Sequence, residues 1–171
     1  MNTLIIGNII AFAGSVVMVC IGLIKRKKKV LIAQCIQCVL MGTANLVLGG
    51  ITGFISNVVT ILRNLFSFRF AFTRIWKIVF CVIQVGLALL WGIRAGGMGL
   101  VDWLPVLAAV IFTCFLDTKS DLVMKYVMIL TQAMWLVYDM SIRNYSASAF
   151  DVMTLCFNFV ALWGLYREKK A

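Results

Sequence analysis

The sequence predicts an all-α polytopic membrane protein. Seven transmembrane helices form two parallel three-helix repeats joined by a linker helix, with the N-terminus outside and the C-terminus inside. Three observations predict this. Of the 171 residues, 63% are hydrophobic and the mean hydropathy is +1.04, well above the roughly 45–50% apolar content of soluble domains. The apolar residues fall into seven runs, each approaching the roughly 20 residues that a helix needs to cross about 30 Å of hydrocarbon. A polar triplet, Asn57, Thr60 and Asn64, recurs 94 residues further on as Asp151, Thr154 and Asn158. The i, i+3, i+7 spacing puts each triplet on one helix face.

The first run, Leu4–Ile24, ends at the basic stretch Lys25–Lys29. It has no basic n-region and is long for a signal h-region, so it reads as a span rather than a cleaved leader. The second, Val30–Leu48, is closed by Gly49 and Gly50, and the third covers Ile51–Phe68. The fourth, Ile75–Ile93, leads into the glycine-rich connection Ala95–Gly99. The fifth, Leu100–Leu116, is short and carries Trp103 and Pro105 near its start, which makes a re-entrant half-helix the alternative. The sixth and seventh are Leu122–Ile142 and Ala147–Tyr166. Helices are expected throughout, because lipid cannot satisfy open backbone groups.

Charge orients the chain. With the N-terminus outside, the inner side receives Lys25–Lys29, Arg69, Arg74, Lys77, Lys119, Lys125, Arg167, Lys169 and Lys170, while the outer side receives only Arg94 and Arg143. This is the positive-inside pattern, and it requires an odd number of spans. The net charge of +10 is thereby a matter of topology, and nucleic acid is not an expected partner. The run Lys25–Lys29 is expected to touch anionic inner-leaflet lipid.

The 94-residue offset also brings Asn8 onto Asp102, Lys25 onto Lys119 and Asn45 onto Asp139, and an offset of 95 brings Gln37 onto Gln132. The expected units are residues 1–70, a linker helix over 71–95, and residues 96–171. Two three-span units joined by one extra crossing are parallel, and such repeats place a substrate site near the membrane midplane between them.

Polar groups at membrane depth must face protein, water or a ligand. Gln37 and Gln132 fall near the centres of their runs, with Trp135 one turn from Gln132. Such a group either binds a polar organic solute or clamps helices together. Asp151 either binds a cation, carries a coupling proton or pairs with Arg63, although the two fall at different depths. Arg63 otherwise suits a carboxylate or phosphate on a substrate, or snorkels inward. Asp102 and Asp139 fall near the outer interface and are expected to be wet. Pro105 is a candidate hinge.

The sequence has no histidine, which removes Ser-His and Cys-His pairs and the usual zinc ligands. The six cysteines lie in apolar runs, and Cys35 and Cys38 form an unaccompanied C-x-x-C. Buried thiols acting as small apolar side chains are expected. No metal, no cofactor and no enzymatic activity are expected.

Three passages resemble the YgjV-type family of small bacterial inner-membrane proteins. They are the glycine, amide and arginine run Gly53–Arg69, the W-L-P-V of Trp103–Val106, and the stretch Lys125–Arg167 with its W-x-x-Y-D and F-N-F-V-A-L-W-G-L-Y-R. In layout this family is similar to the wider SWEET, PQ-loop and nicotinamide-riboside carrier group, although this chain has no clear Pro-Gln pair. The resemblance implies a three-plus-one-plus-three bundle, location in the cytoplasmic membrane and facilitated transport. It also implies a site of Asn57, Thr60, Arg63, Asp151, Thr154 and Asn158 with Trp135. The expected function is a small carrier for a polar solute, with Gln37 and Gln132 joining that site. The alternative is a membrane helper or assembly subunit whose polar stripes serve packing. A second copy of the chain is a candidate partner.

Overall fold

The computed structural model describes residues 2–21, 27–70, 72–116, 118 and 120–170. The expected lipid-contacting run therefore lies largely outside the described residues: of its side chains only that of Lys29 is described, and it is exposed. Among the described residues there are seven helices: α1 (Asn2–Ile21), α2 (Lys27–Val47), α3 (Ile51–Arg69), α4 (Arg74–Ala95), α5 (Trp103–Phe115), α6 (Asp121–Ser141) and α7 (Tyr145–Lys170). Five are long and apolar enough to cross a membrane: α1, α2, α3, α4 and α7. Helix α6 carries Lys125, Gln132 and Asp139, which dilute its hydropathy. Helix α5 is strongly apolar but has only 13 residues, or about 20 Å of helix.

Glycine punctuates the connections. Gly49, at φ 83°, closes α2, and Gly96, at φ 79°, is the left-handed cap of α4, a conformation that glycine adopts without a Cβ penalty. Ser120 caps α6, its hydroxyl accepting from Val123 N at 3.5 Å.

The structure changes the reading of Pro105. It is the third residue of α5 and is buried. The first turn of a helix has no intrahelical acceptor for its N–H groups, so proline there breaks no hydrogen bond. The helix begins later than the apolar run because Val101 and Asp102 form a turn. Pro105 starts a helix rather than hinging one.

Within the first three helices, α2 packs against both α1 and α3; within the last three, α6 packs against both α5 and α7. Two further contacts, α3 with α5 and α7 with α1, close these six helices into a ring. Helix α4 lies outside the ring, against α3 and α5. Side-chain contacts give the directions. Asn8, early in α1, donates to Arg143 O at 3.0 Å and accepts from Ser146 N at 2.9 Å, so α1 and α7 run parallel. Arg63 reaches Thr113, and earlier in both helices Val59 and Thr60 share a cavity with Ala109 and Val110, so α3 and α5 run parallel. The phenyl rings of Phe12 and Phe150 meet edge-on at 5.8 Å on the α1–α7 seam.

Candidate functional site

Where α2 ends and α3 begins, the polar residues converge on Tyr138. Helix α3 has Gly50 at its N-cap and no side-chain cap of its own. The orphan N–H of Gly53 is instead taken by the Tyr138 hydroxyl of α6, at 2.9 Å, and Thr52 Oγ1 donates to the same oxygen at 3.3 Å. Tyr138 fits because two glycines leave room. A Cβ on Gly50 would lie 2.5 Å from the Tyr138 hydroxyl oxygen, and one on Gly53 would lie 2.6 Å from both the Tyr138 ring and Asn45 Nδ2. Trp135 stands edge-on to the Tyr138 ring at 5.8 Å.

Beside this lies a buried carboxyl pair. Asp139 is 1% exposed and Asp151 6% exposed, and the two side chains face each other. The reason Asp139 is buried is local. Asn144 folds back on the end of α6, its N–H donating to Asp139 O at 2.8 Å and its side-chain amide to Asp139 Oδ1 at 3.1 Å. Asn144 Oδ1 in turn accepts from Ala147 N at 3.3 Å, capping α7, and its amide also reaches Asn45 Oδ1 at 3.4 Å. The wet Asp139 expected from position alone is therefore corrected, because the α6–α7 turn covers it. Gln132 Nε2 donates to Asp151 Oδ1. Asp151 Oδ2 and Asn45 Nδ2 are buried with no hydrogen-bond partner.

A second polar group occupies the α3–α4–α5 junction. Arg63 is 7% exposed. Its Nη1 donates to Thr113 Oγ1 at 2.9 Å, and its guanidinium carbon stands 5.7 Å from the Phe112 ring centroid. Gln84 Nε2 donates to Ser56 Oγ at 2.7 Å. Arg63 Nε and Gln84 Oε1 have no partner. Thr60, Arg63, Gln84 and Thr113 line a cavity of about 10 Å³, roughly the size that holds one water. Helices α3, α4 and α5 contain no acidic residue.

The family model for Imp-YgjV, a bacterial inner membrane protein, matches residues 5–169. The chain belongs to this family. As an Imp-YgjV protein it is a bacterial inner membrane protein, and its apolar helices fit multi-pass insertion. No curated protein and no solved structure matches the chain.

In this Imp-YgjV chain both triplets face the bundle interior. Asn57, Asn64, Asp151 and Asn158 are buried, and Thr60 and Thr154 are half-buried. Their partners differ. Asn57 Nδ2 and Thr154 Oγ1 bond back to carbonyls of their own helices, Gly53 O at 2.8 Å and Phe150 O at 2.8 Å. Asn64 Nδ2 donates to Gln34 Oε1 of α2 at 3.4 Å, and Lys125 Nζ of α6 donates to Asn158 Oδ1 at 3.2 Å. Arg63 and Asp151 have separate partners, so no ion pair joins them. Gln37 is half-buried on α2, and among the described residues no hydrogen bond joins it to Gln132.

Tyr138, Asn144, Thr52 and Gln84 were not singled out from the sequence as site residues. Tyr138 had a signal in the W-x-x-Y-D, and Gln84 is the one amide side chain in α4. Nothing in the sequence marks Asn144 apart from its turn.

Proposed function

We propose that this inner membrane protein is a small carrier for a polar organic solute, working by rocking of one three-helix repeat against the other, and not an enzyme. The proposed layout is seven spans, three plus one plus three, with the N-terminus outside. The observation that carries the reading is the ring itself. Its two halves repeat one packing pattern, they meet at the α1–α7 and α3–α5 seams, and both polar stripes lie inside. This is the arrangement in which parallel-repeat carriers hold a substrate between repeats. Arg63, with no acid on its own or the adjoining helices α4 and α5, and Asp151 set the charge preference. Gln37, Asn57, Thr60, Gln132, Trp135, Thr154 and Asn158 supply binding groups.

The second reading is a helper or assembly protein whose stripes only clamp helices. The Lys125–Asn158, Asn64–Gln34 and Gln132–Asp151 bonds favour it. A thermal-stability screen in detergent, over sugars, nucleosides, vitamins, amino acids and organic acids, separates the two. A carrier gives a ligand that raises the melting temperature of the wild type but not of folded Gln132→Ala or Asp151→Asn. If no ligand stabilises the wild type while both variants melt several degrees lower, the carrier reading fails.

A further inference from the structure

The seam between α4 and α5 carries a groove of about 810 Å³. Its lining runs from Arg74 and Lys77 through Ile78, Val82 and Gly86 to Leu89. The two basic residues stand at one end, and the rest of this wall is apolar. Ile78 and Val82 are each 65% exposed, so the groove opens to the surroundings of the bundle rather than to its interior. A Cβ on Gly86 would meet nothing within 4 Å, so the missing side chain widens the groove. Lys77 Nζ donates to Cys114 O at 3.4 Å, which leans it across the α4–α5 seam, while Arg74 is exposed.

From Arg74 to Leu89 the helix rises about 22 Å. One leaflet of the hydrocarbon core is about 15 Å deep. The groove is therefore long enough for an acyl chain, and its cationic residues sit where the head of that chain would be.

We propose that this groove is a binding site for an anionic phospholipid, with its phosphate at Arg74 and Lys77 and one acyl chain along Ile78, Val82 and Gly86. Charge complementarity commits the site to a lipid. A neighbouring apolar helix would fill the same groove without needing its basic end.

Native mass spectrometry of the purified full chain tests this, with titration of phosphatidylglycerol and phosphatidylcholine of identical chains. Phosphatidylglycerol is expected to bind tighter by roughly fivefold or more, since a basic residue near anionic lipid contributes about 1 kcal/mol. Arg74→Gln lowers phosphatidylglycerol affinity toward that of phosphatidylcholine. Gly86→Leu fills the groove, leaves both basic residues in place and lowers affinity for both lipids. Leucine favours a helix more than glycine does, so this variant folds, and its lipid-free melting temperature checks that. Equal binding of the two lipids by the wild type overturns the proposal. So does wild-type phosphatidylglycerol affinity in Gly86→Leu or in Arg74→Gln.

Discussion

Tyr138→Phe removes one oxygen and leaves the ring in place, which makes it a clean probe of how α6 is joined to α3. In the wild type that oxygen accepts from Gly53 N at 2.9 Å and from Thr52 Oγ1 at 3.3 Å, at a residue with 0% exposure. The Thr52 hydroxyl can rotate to another acceptor. The Gly53 N–H cannot move, because it lies in the first turn of α3, where no intrahelical carbonyl reaches it. A buried donor left without a partner costs about 1–3 kcal/mol. Hydrogen bonds between membrane helices average nearer 0.6 kcal/mol, because the separated helices find other partners. A helix-terminal N–H walled in by Asn45 and an aromatic ring has few alternatives, so about 1–2 kcal/mol is expected. For a chain of this size that is a fall of roughly 2–8 °C in melting temperature, read by thermal unfolding in detergent. Tyr145→Phe is the control, since Tyr145 is 59% exposed, and it should not shift. A Tyr138→Phe melting temperature within about 1 °C of wild type would refute the assignment of Tyr138 as the missing cap of α3.

The two glycines of opposite environment should respond in opposite directions. Gly53→Ala places a methyl 2.6 Å from Asn45 Nδ2 and the Tyr138 ring and should destabilise by about 1–3 kcal/mol, whereas Gly86→Ala meets open space and should stabilise by about 0.5–1 kcal/mol; unfolding of both in the same detergent compares them. Gln132→Leu strips Asp151 of its donor, and should cost about 1–3 kcal/mol. Adding Asp151→Leu should restore part of that loss, so a double-mutant cycle in which the two effects simply add would argue against the Gln132–Asp151 bond. A fluorescent-protein fusion at the C-terminus should glow and a periplasmic phosphatase fusion there should stay inactive, with the reverse for phosphatase fused after Arg94.

Helix positions were legible because each is written in a local run of apolar residues ended by glycine or charge. Ile51–Phe68 became Ile51–Arg69, and Ile75–Ile93 became Arg74–Ala95. The facing of both polar triplets was legible for the same reason, since helical period alone puts i, i+3 and i+7 together. Partners were less legible. Asn57 and Asp151 occupy matching positions, yet one bonds to its own helix and the other to Gln132 of α6. That choice depends on which helix stands opposite, and no local period encodes it. Asp139 was misplaced because distance along a helix measures depth but not cover. The cover comes from Asn144, three residues past the end of α6, in a turn where Arg143 takes φ 61°.

The choice between a binding site and a clamp turns on the polar atoms that packing leaves over. A side chain kept only to hold two helices together has its donors and acceptors matched, as in the Lys125–Asn158 and Asn64–Gln34 bonds. Four buried atoms among the described residues lack such a match: Asn45 Nδ2, Arg63 Nε, Gln84 Oε1 and Asp151 Oδ2, the last of them beside the Asp139 carboxyl, which can share a proton with it. Each orphan weakens the fold by about 1–3 kcal/mol, and a clamp gains nothing from it. A hydroxyl or a water does gain, because it donates and accepts at once and can serve both atoms of a pair. Arg63 and Gln84 share the lining of the small cavity, where one such group fits. The Asn64 and Asn158 ends of the stripes therefore read as clamps. On the carrier reading proposed above, the orphans near Asp151 and Arg63 are the groups that a solute would bind.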